Sequence, residues 1–284
     1  MEAEAQIHSD LSAKLPYLRG DLDRLHVEFT ARILGEELFD KRVTNIRNGR
    51  ADGQIPSLER EGFQLVPHPS ATVRDRLDEL LEPKGLLNES DALRSYWAET
   101  IPLISRLSGA RDVLPLHAST VRYSATLKND KAMTPAGWPH VDYDTPESQV
   151  QLAETLELNQ SDPAAYSRYV MYQCWHVLSS PPQDFPLAMC DGRTVKPEDI
   201  VPIDYHMKTP ERDVTYNSSG ARFSSRHDWW YFPDMTREEL LVFIGFDSAL
   251  GDGFKTLHVA IEDETQDQPL PRISLETRYF ALFE

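Results

Sequence analysis

A chain of 284 residues, 40% hydrophobic and 26% charged, is long enough to bury a sizeable core and has the composition of an ordinary globular protein. Its formal net charge of −17 leaves no basic surface for nucleic acid and disfavours an anionic membrane, so the expected partner is a small molecule. The two cysteines, Cys174 and Cys190, exclude a disulfide scaffold and a cysteine-rich zinc site.

The first residues, Met1 to Ala5, are acidic and lack an apolar stretch, so no signal peptide is expected. No run of about 18 apolar residues occurs, which predicts no transmembrane helix. With both cysteines expected as buried thiols in a reducing compartment, the expected location is cytoplasmic. Leu22, Leu25, Phe29, Ile33, Leu34 and Leu38 approximate one helical face and predict a helix over 21–40. Residues 43–47 and 63–66 read as strands around a polar turn at Arg50-Ala51-Asp52-Gly53. Amphipathic helices are expected over 73–81 and 91–107, the second ending near Gly109. Residues 1–110 are therefore expected to form a mixed α/β N-terminal cap, packed on a core of 111–284 within one structural domain.

From Asp112 the pattern changes. Residues 113–127 read as strands and include Thr120-Val121-Arg122-Tyr123. Thr145 as N-cap with Pro146 at the first helical position opens a helix through Leu158, and Asp162-Pro163 repeats that signal for a shorter one. A strong β run covers 169–178 and is ended by Pro181, Pro182 and Pro186. Residues 229–232, 240–246, 257–261 and 273–283 complete the expected strands. Strands without regular βαβ alternation predict a mainly β fold with flanking helices around a closed antiparallel core. A double-stranded β-helix, the jelly-roll or cupin-like barrel, fits, and its open mouth would suit a metal.

The chemistry is concentrated in Trp138-Pro139-His140-Val141-Asp142 and, far downstream, Leu257-His258-Val259-Ala260. Residues i and i+2 of a strand project to the same side, so His140 and Asp142 can grip one ion while Val141 points away. The third ligand must come from another strand, which explains the long gap to His258. Two histidines and one carboxylate on one face of an iron leave three positions open, which suits oxygen activation. Fourteen residues after His258 comes Arg272-Ile273-Ser274, an arginine fork with a hydroxyl nearby, suited to a co-substrate carboxylate. A strand carrying this pair beside the His258 strand would aim both groups into one cavity. Together these features predict a non-haem Fe(II) oxygenase using 2-oxoglutarate and O2. The plainer alternative is a core histidine bonded to Asp142, with Arg272 in a structural ion pair. His117, His206 and His227 are rival third ligands, but none has an Arg-x-Ser element behind it.

Further segments carry a resemblance. Trp175-His176 followed by Asp184-Phe185-Pro186-Leu187-Ala188-Met189-Cys190-Asp191, then Trp229-Trp230-Tyr231-Phe232-Pro233-Asp234-Met235-Thr236, then Phe246-Asp247-Ser248 and His258 through Arg278, stand in order. The chain resembles the hydroxylase/desaturase family of fungal and bacterial biosynthesis, which includes a cephamycin methoxylation partner and gibberellin-desaturase-like proteins. The similarity runs from about Leu114 to the end, and more weakly over Val43 to Pro67. The resemblance implies a double-stranded β-helix fold, Fe(II) and 2-oxoglutarate. It carries the metal role onto His140, Asp142 and His258, and the co-substrate role onto Arg272 with Ser274 beside it. Arg278 is the alternative fork, because Arg-Ile-Ser-Leu-Glu-Thr-Arg sets both arginines on one strand face. Where the family has Trp-Arg this chain has Trp175-His176, so no arginine contact carries over to position 176.

Other residues are expected to meet substrate. Arg122 sits in an apolar run and needs an anionic partner, either a substrate carboxylate or a core acid. Trp138, Tyr143 and Trp175 could wall the pocket, and His176 could hydrogen-bond substrate; core packing is the alternative for each. Trp229 to Tyr231 reads as barrel packing and Asp247-Ser248 as a turn cap. The function expected is hydroxylation, desaturation or cyclisation of a secondary-metabolite or amino-acid-derived small molecule, by hydrogen abstraction. The rival classes are a cupin-type hydrolase or isomerase with zinc or manganese and no 2-oxoglutarate, and an inactive jelly-roll binding protein.

Overall fold

In the computed structural model, which describes residues 10–28, 34–51, 53–81, 90–117, 119–127, 133–208 and 213–284, the chain folds into two facing sheets. The strands in chain order are β1 (Leu11–Leu18), β2 (Leu25–Glu28), β3 (Phe39–Asn48), β4 (Phe63–Pro67), β5 (Asp112–Pro115), β6 (Thr120–Tyr123), β7 (His140–Val141) and β8 (Arg168–Val177). They continue as β9 (Leu187–Cys190), β10 (Ile200–Lys208), β11 (Asp213–Ala221), β12 (Trp229–Tyr231), β13 (Glu239–Asp247), β14 (His258–Ala260) and β15 (Ile273–Phe283). The helices are α1 (Ala71–Asp75), α2 (Leu77–Leu81), α3 (Asp91–Ser108) and α4 (Thr145–Leu158). One sheet runs β1-β3-β12-β9-β14-β7-β11-β10-β2; the other runs β4-β13-β8-β15-β5, with β6 also paired to β15. The curled pair forms a double-stranded β-helix.

Alternation along β8 shows how sequence sets the layers. Tyr172, Cys174 and His176 face one way, into a cluster with Tyr96 and Trp97 of α3. Trp175 and Val177 face the other way, between the sheets, against Met189, Trp230, Leu241 and Phe243. Each large apolar side chain buried there contributes about 1.5–3 kcal/mol. Both cysteines are buried thiols without a disulfide. Among the described residues no helix is long and apolar enough to cross a membrane.

Several expectations are corrected. No helix forms at 25–28 or 34–40: β2 pairs in parallel with β10, a 3-10 turn occupies Glu36–Leu38, and β3 follows. The i, i+3, i+4 spacing was matched, but pairing with a distant strand overrides local periodicity. Phe29 to Ile33 of that segment, Asp52 of the polar turn and Met1 to Ala5 lie outside the described residues. The strands flanking that turn do not pair with each other: β3 joins the larger sheet and β4 the smaller. The helix expected over 73–81 is two short ones, α1 and α2, broken at Arg76. The cap of α4 is Asp144, whose carboxylate accepts from the Glu147 N–H; Thr145 is the first helical residue. The described part of residues 1–110, expected as a cap on the core, supplies β1 to β3 to one sheet and β4 to the other, besides α1 to α3.

Candidate metal centre

β7 is two residues long, yet it places the first ligand. His140 pairs with Gly220 of β11 on one side and His258 of β14 on the other. Directly opposed residues in a ladder project to the same face, so the two imidazoles meet, with ring centroids 4.3 Å apart. Gly220 is required opposite His140, because a Cβ there would lie 2.5 Å from the Leu18 side chain. Asp142 follows β7 and turns its Oδ1 to both rings, 3.5 Å from His140 Nε2 and 3.7 Å from His258 Nε2. One donor atom from each of the three lies within 4.8 Å of the others. Metal bonds of about 2.0–2.2 Å place adjacent donors about 3 Å apart, so small side-chain shifts would close this set on one ion.

The surroundings prepare the donors. His140 Nδ1 bonds to the Trp138 carbonyl oxygen at 2.8 Å, which leaves Nε2 as the coordinating atom. Burial, with His140 alongside, pushes His258 down, so its neutral, ligating form dominates near pH 7. Burial alone would raise the Asp142 carboxyl, but Arg278 and the two histidines outweigh it and hold it well below the usual carboxylate range. Arg278 Nη2 donates to Asp142 Oδ2, the oxygen turned away from the histidines. Tyr143 supports that guanidinium, its ring centroid 5.4 Å from Arg278 Cζ.

A small, partly open pocket lies on this cluster. Its walls include Arg122, Leu187, Ala260, Arg272 and Glu276 with His140, Asp142 and His258. Arg272 immediately precedes β15, which lies in the sheet opposite the His258 strand, not beside it as expected. The two arrive in one cavity by facing each other across the barrel. Arg272 is 1% exposed; Nη1 donates to the Phe185 carbonyl at 3.1 Å, and Trp175 sits 5.4 Å from Cζ. No carboxylate among the described residues forms an ion pair with it. Burial pushes its guanidinium down to about 10, against the pull of Glu276. Ser274 is fully buried on the same strand face, between Arg272 and Glu276.

Arg122 lines the cavity but already has a partner. Its Nε donates to Glu276 at 3.0 and 3.1 Å, and Nη1 to the Thr134 carbonyl at 3.1 Å. The anionic group it was expected to need is thus a protein acid. Glu276 escaped the sequence reading, although its place in the Arg272–Arg278 alternation put it on the same face. Trp138 lies beside the site, its ring 6.0 Å from that of His140. His176 does not reach it: the side chain is buried towards α3, bonded to the Tyr96 hydroxyl and the Arg237 carbonyl, one residue out of phase with Trp175. His117 packs on Trp97, His206 faces Glu28, and His227 lies against Tyr17 and Asp199, all away from the cluster.

Known proteins resemble this chain in sequence and in fold. A family model described as an oxidoreductase/YMDC permease-like domain matches residues 28–282. The chain is 26% identical over 225 residues to the Fe(II)/2-oxoglutarate-dependent dioxygenase nvfI of Aspergillus novofumigatus, covering 78% of each. It is 24% identical over 264 residues to the hydroxylase/desaturase CTB9 of Cercospora beticola, covering 87% of this chain and 78% of that one. The solved structure of the iron and alpha-ketoglutarate-dependent endoperoxidase NvfI superposes with a TM-score of 0.74 at 20% identity, covering 97% of this chain and 98% of that one, so the two share a fold.

Proposed function

Since the chain belongs to that oxidoreductase family, we propose that it is a non-haem iron, 2-oxoglutarate-dependent oxygenase acting on a small molecule. His140, Asp142 and His258 would hold Fe(II), and Arg272 would hold the distal carboxylate of 2-oxoglutarate. The observation that carries this reading is the pairing, in one cavity, of a buried two-histidine, one-carboxylate cluster with a buried guanidinium that forms no ion pair among the described residues. A hydrolase or isomerase of cupin type has no use for that guanidinium, and a binding protein has no use for three converging donors. Arg278 is the weaker choice for the co-substrate, because its Nη2 is committed to Asp142.

When bound, iron with 2-oxoglutarate and O2 supplies the oxidising power that removes a substrate hydrogen while 2-oxoglutarate becomes succinate and CO2. The chain's own part is to place the groups. Arg278 and the Trp138 carbonyl fix Asp142 and His140 from behind. Arg272, 1% exposed, presents a fork to a planar carboxylate. Leu187 and Ala260 give the cavity apolar walls. The Arg122–Glu276 pair gives it one polar wall, which favours a substrate bearing a hydroxyl, carbonyl or carboxylate that bonds to that edge. Hydroxylation, desaturation and ring closure share hydrogen removal, and the proposal covers that shared step. We assign no nucleic-acid or membrane partner and a cytoplasmic location, supported by the net charge of −17 and the two free buried thiols.

The test is succinate release from 2-oxoglutarate, with Fe(II) and a panel of small molecules. Wild-type protein should release succinate only with Fe(II), and His258→Ala should release none. Full turnover by that variant, or turnover without 2-oxoglutarate, contradicts the proposal.

A further inference from the structure

One buried carboxylate takes no part in the chemistry above. Asp184 lies between β8 and β9 and is 8% exposed. Its Oδ1 accepts from the main-chain N–H of Arg272 at 2.8 Å. Its Oδ2 accepts from Ser124 Oγ at 2.5 Å and Thr126 Oγ1 at 2.9 Å. The main chain is tied at the same place: Ser124 N–H donates to the Arg272 carbonyl at 2.8 Å, and Asp184 N–H to that of Leu270 at 2.9 Å. The next residue, Phe185, offers the carbonyl that receives the Arg272 guanidinium. Arg272 is therefore gripped at its N–H, its carbonyl and its side chain, and residues 184–185 make two of these three holds.

The arrangement answers a physical problem. Arg272 stands one residue before β15 begins, after a run of turns and bends. Its buried N–H must find an acceptor. Any carbonyl could serve, and a carboxylate is costly to bury without a cation. What a carboxylate adds is two oxygens that together collect three donors from two segments, Arg272 on one and Ser124 with Thr126 on the other, in bonds stronger than neutral ones. They fix the Cα of Arg272, and so the reach of its guanidinium, in a way a frayed strand end would not.

We propose that Asp184 is a positioning residue for Arg272 and thereby sets where a 2-oxoglutarate carboxylate is held. The inference rests on the assignment of Arg272 made above. It is tested by calorimetric titration of anaerobic Fe(II)-loaded protein with 2-oxoglutarate, alongside Fe(II) titration of the metal-free protein. Asp184→Ala should weaken 2-oxoglutarate binding about tenfold or more, with Fe(II) affinity within about twofold of wild type. Asp184→Asn keeps an acceptor for the Arg272 N–H and should recover most of the loss. If Asp184→Ala does not fold, the double variant Ser124→Ala/Thr126→Val unseats the same carboxylate and should weaken 2-oxoglutarate alone, by a smaller factor. Wild-type 2-oxoglutarate affinity in either folded variant, while Arg272→Ala loses it, overturns the role of Asp184 only. Equal losses of Fe(II) and 2-oxoglutarate affinity also overturn it, since they mark a general structural role. Wild-type affinity in Arg272→Ala overturns the reading beneath it.

Discussion

Arg272→Met should make the protein more stable without 2-oxoglutarate and indifferent to it when present. The wild-type guanidinium is 1% exposed, bonds to one main-chain carbonyl, lies by the Trp175 ring and feels only the weaker pull of Glu276 and Asp184. Burial pushes it down to about 10. At about 1.4 kcal/mol per tenfold, holding that cation in the folded state costs about 3 kcal/mol. The sign is fixed by linkage. A cation depressed in the folded state destabilises wherever it is charged, so the cost is constant below pH 10 and is relieved only as pH rises above it. Methionine fills similar space without a charge, and exchanges of this kind return about 1–3 kcal/mol. In wild type, 2-oxoglutarate at a hundredfold its Kd adds about 2.7 kcal/mol. Urea unfolding of the Mn(II)-loaded protein, with and without 2-oxoglutarate, reads both effects. An Arg272→Met protein that is less stable than wild type by more than about 1 kcal/mol, or that keeps the 2-oxoglutarate increment, refutes the reasoning.

Three further outcomes follow from the same geometry. Arg122→Leu should cost about 1–3 kcal/mol, because it removes the nearer cation of Glu276 and leaves Arg278 Nη2 at 3.6 Å; adding Glu276→Gln should recover part of the loss in a denaturant double-mutant cycle, and simple additivity would show that the pair is not coupled. Arg278→Gln should raise the pH at which Asp142 takes up its proton. Asp142 is held low by Arg278, so its charged form is lost only at lower pH, and without Arg278 it protonates sooner as pH falls; an NMR titration of the Asp142 carboxyl in the metal-free protein below pH 5 that coincides with wild type contradicts this. His176→Leu should cost about 1–3 kcal/mol in unfolding experiments by orphaning the Tyr96 hydroxyl and the Arg237 carbonyl, with the KM for 2-oxoglutarate unchanged; a changed KM would return His176 to the site.

What could be read from the chain follows from how local each signal is. The period of two around Val141 announced the His140–Asp142 pair, and β8, β13 and β15 carry long apolar runs that no loop could hide. The strands missed were β1, β2, β9, β10 and β11. β10 and β11 hold each other through nine residue pairs, and their polar residues, from Asp204 to Asn217 and Ser218, dilute the apolar alternation. The segment around Leu25 was read as helix because its apolar spacing fits 3.6 residues, while its partner lies about 180 residues away in β10. The site shows the same division. Arg-x-Ser-x-Glu-x-Arg placed four groups on one face, but only the folded barrel shows that Arg278 pairs with Asp142, that Glu276 pairs with Arg122, and that Arg272 forms no ion pair among the described residues. Phase along β8 separates Trp175 from His176, and one residue of offset decides which of them backs the cavity.

The most direct test of the central claim is an anaerobic spectroscopic titration of the protein with Fe(II) and then 2-oxoglutarate. Co-substrate chelated to an iron held by His140, Asp142 and His258 should give a weak visible charge-transfer band that saturates at one equivalent and is absent in His258→Ala. A band of full intensity in His258→Ala, or none in wild-type protein loaded with both, would contradict the account.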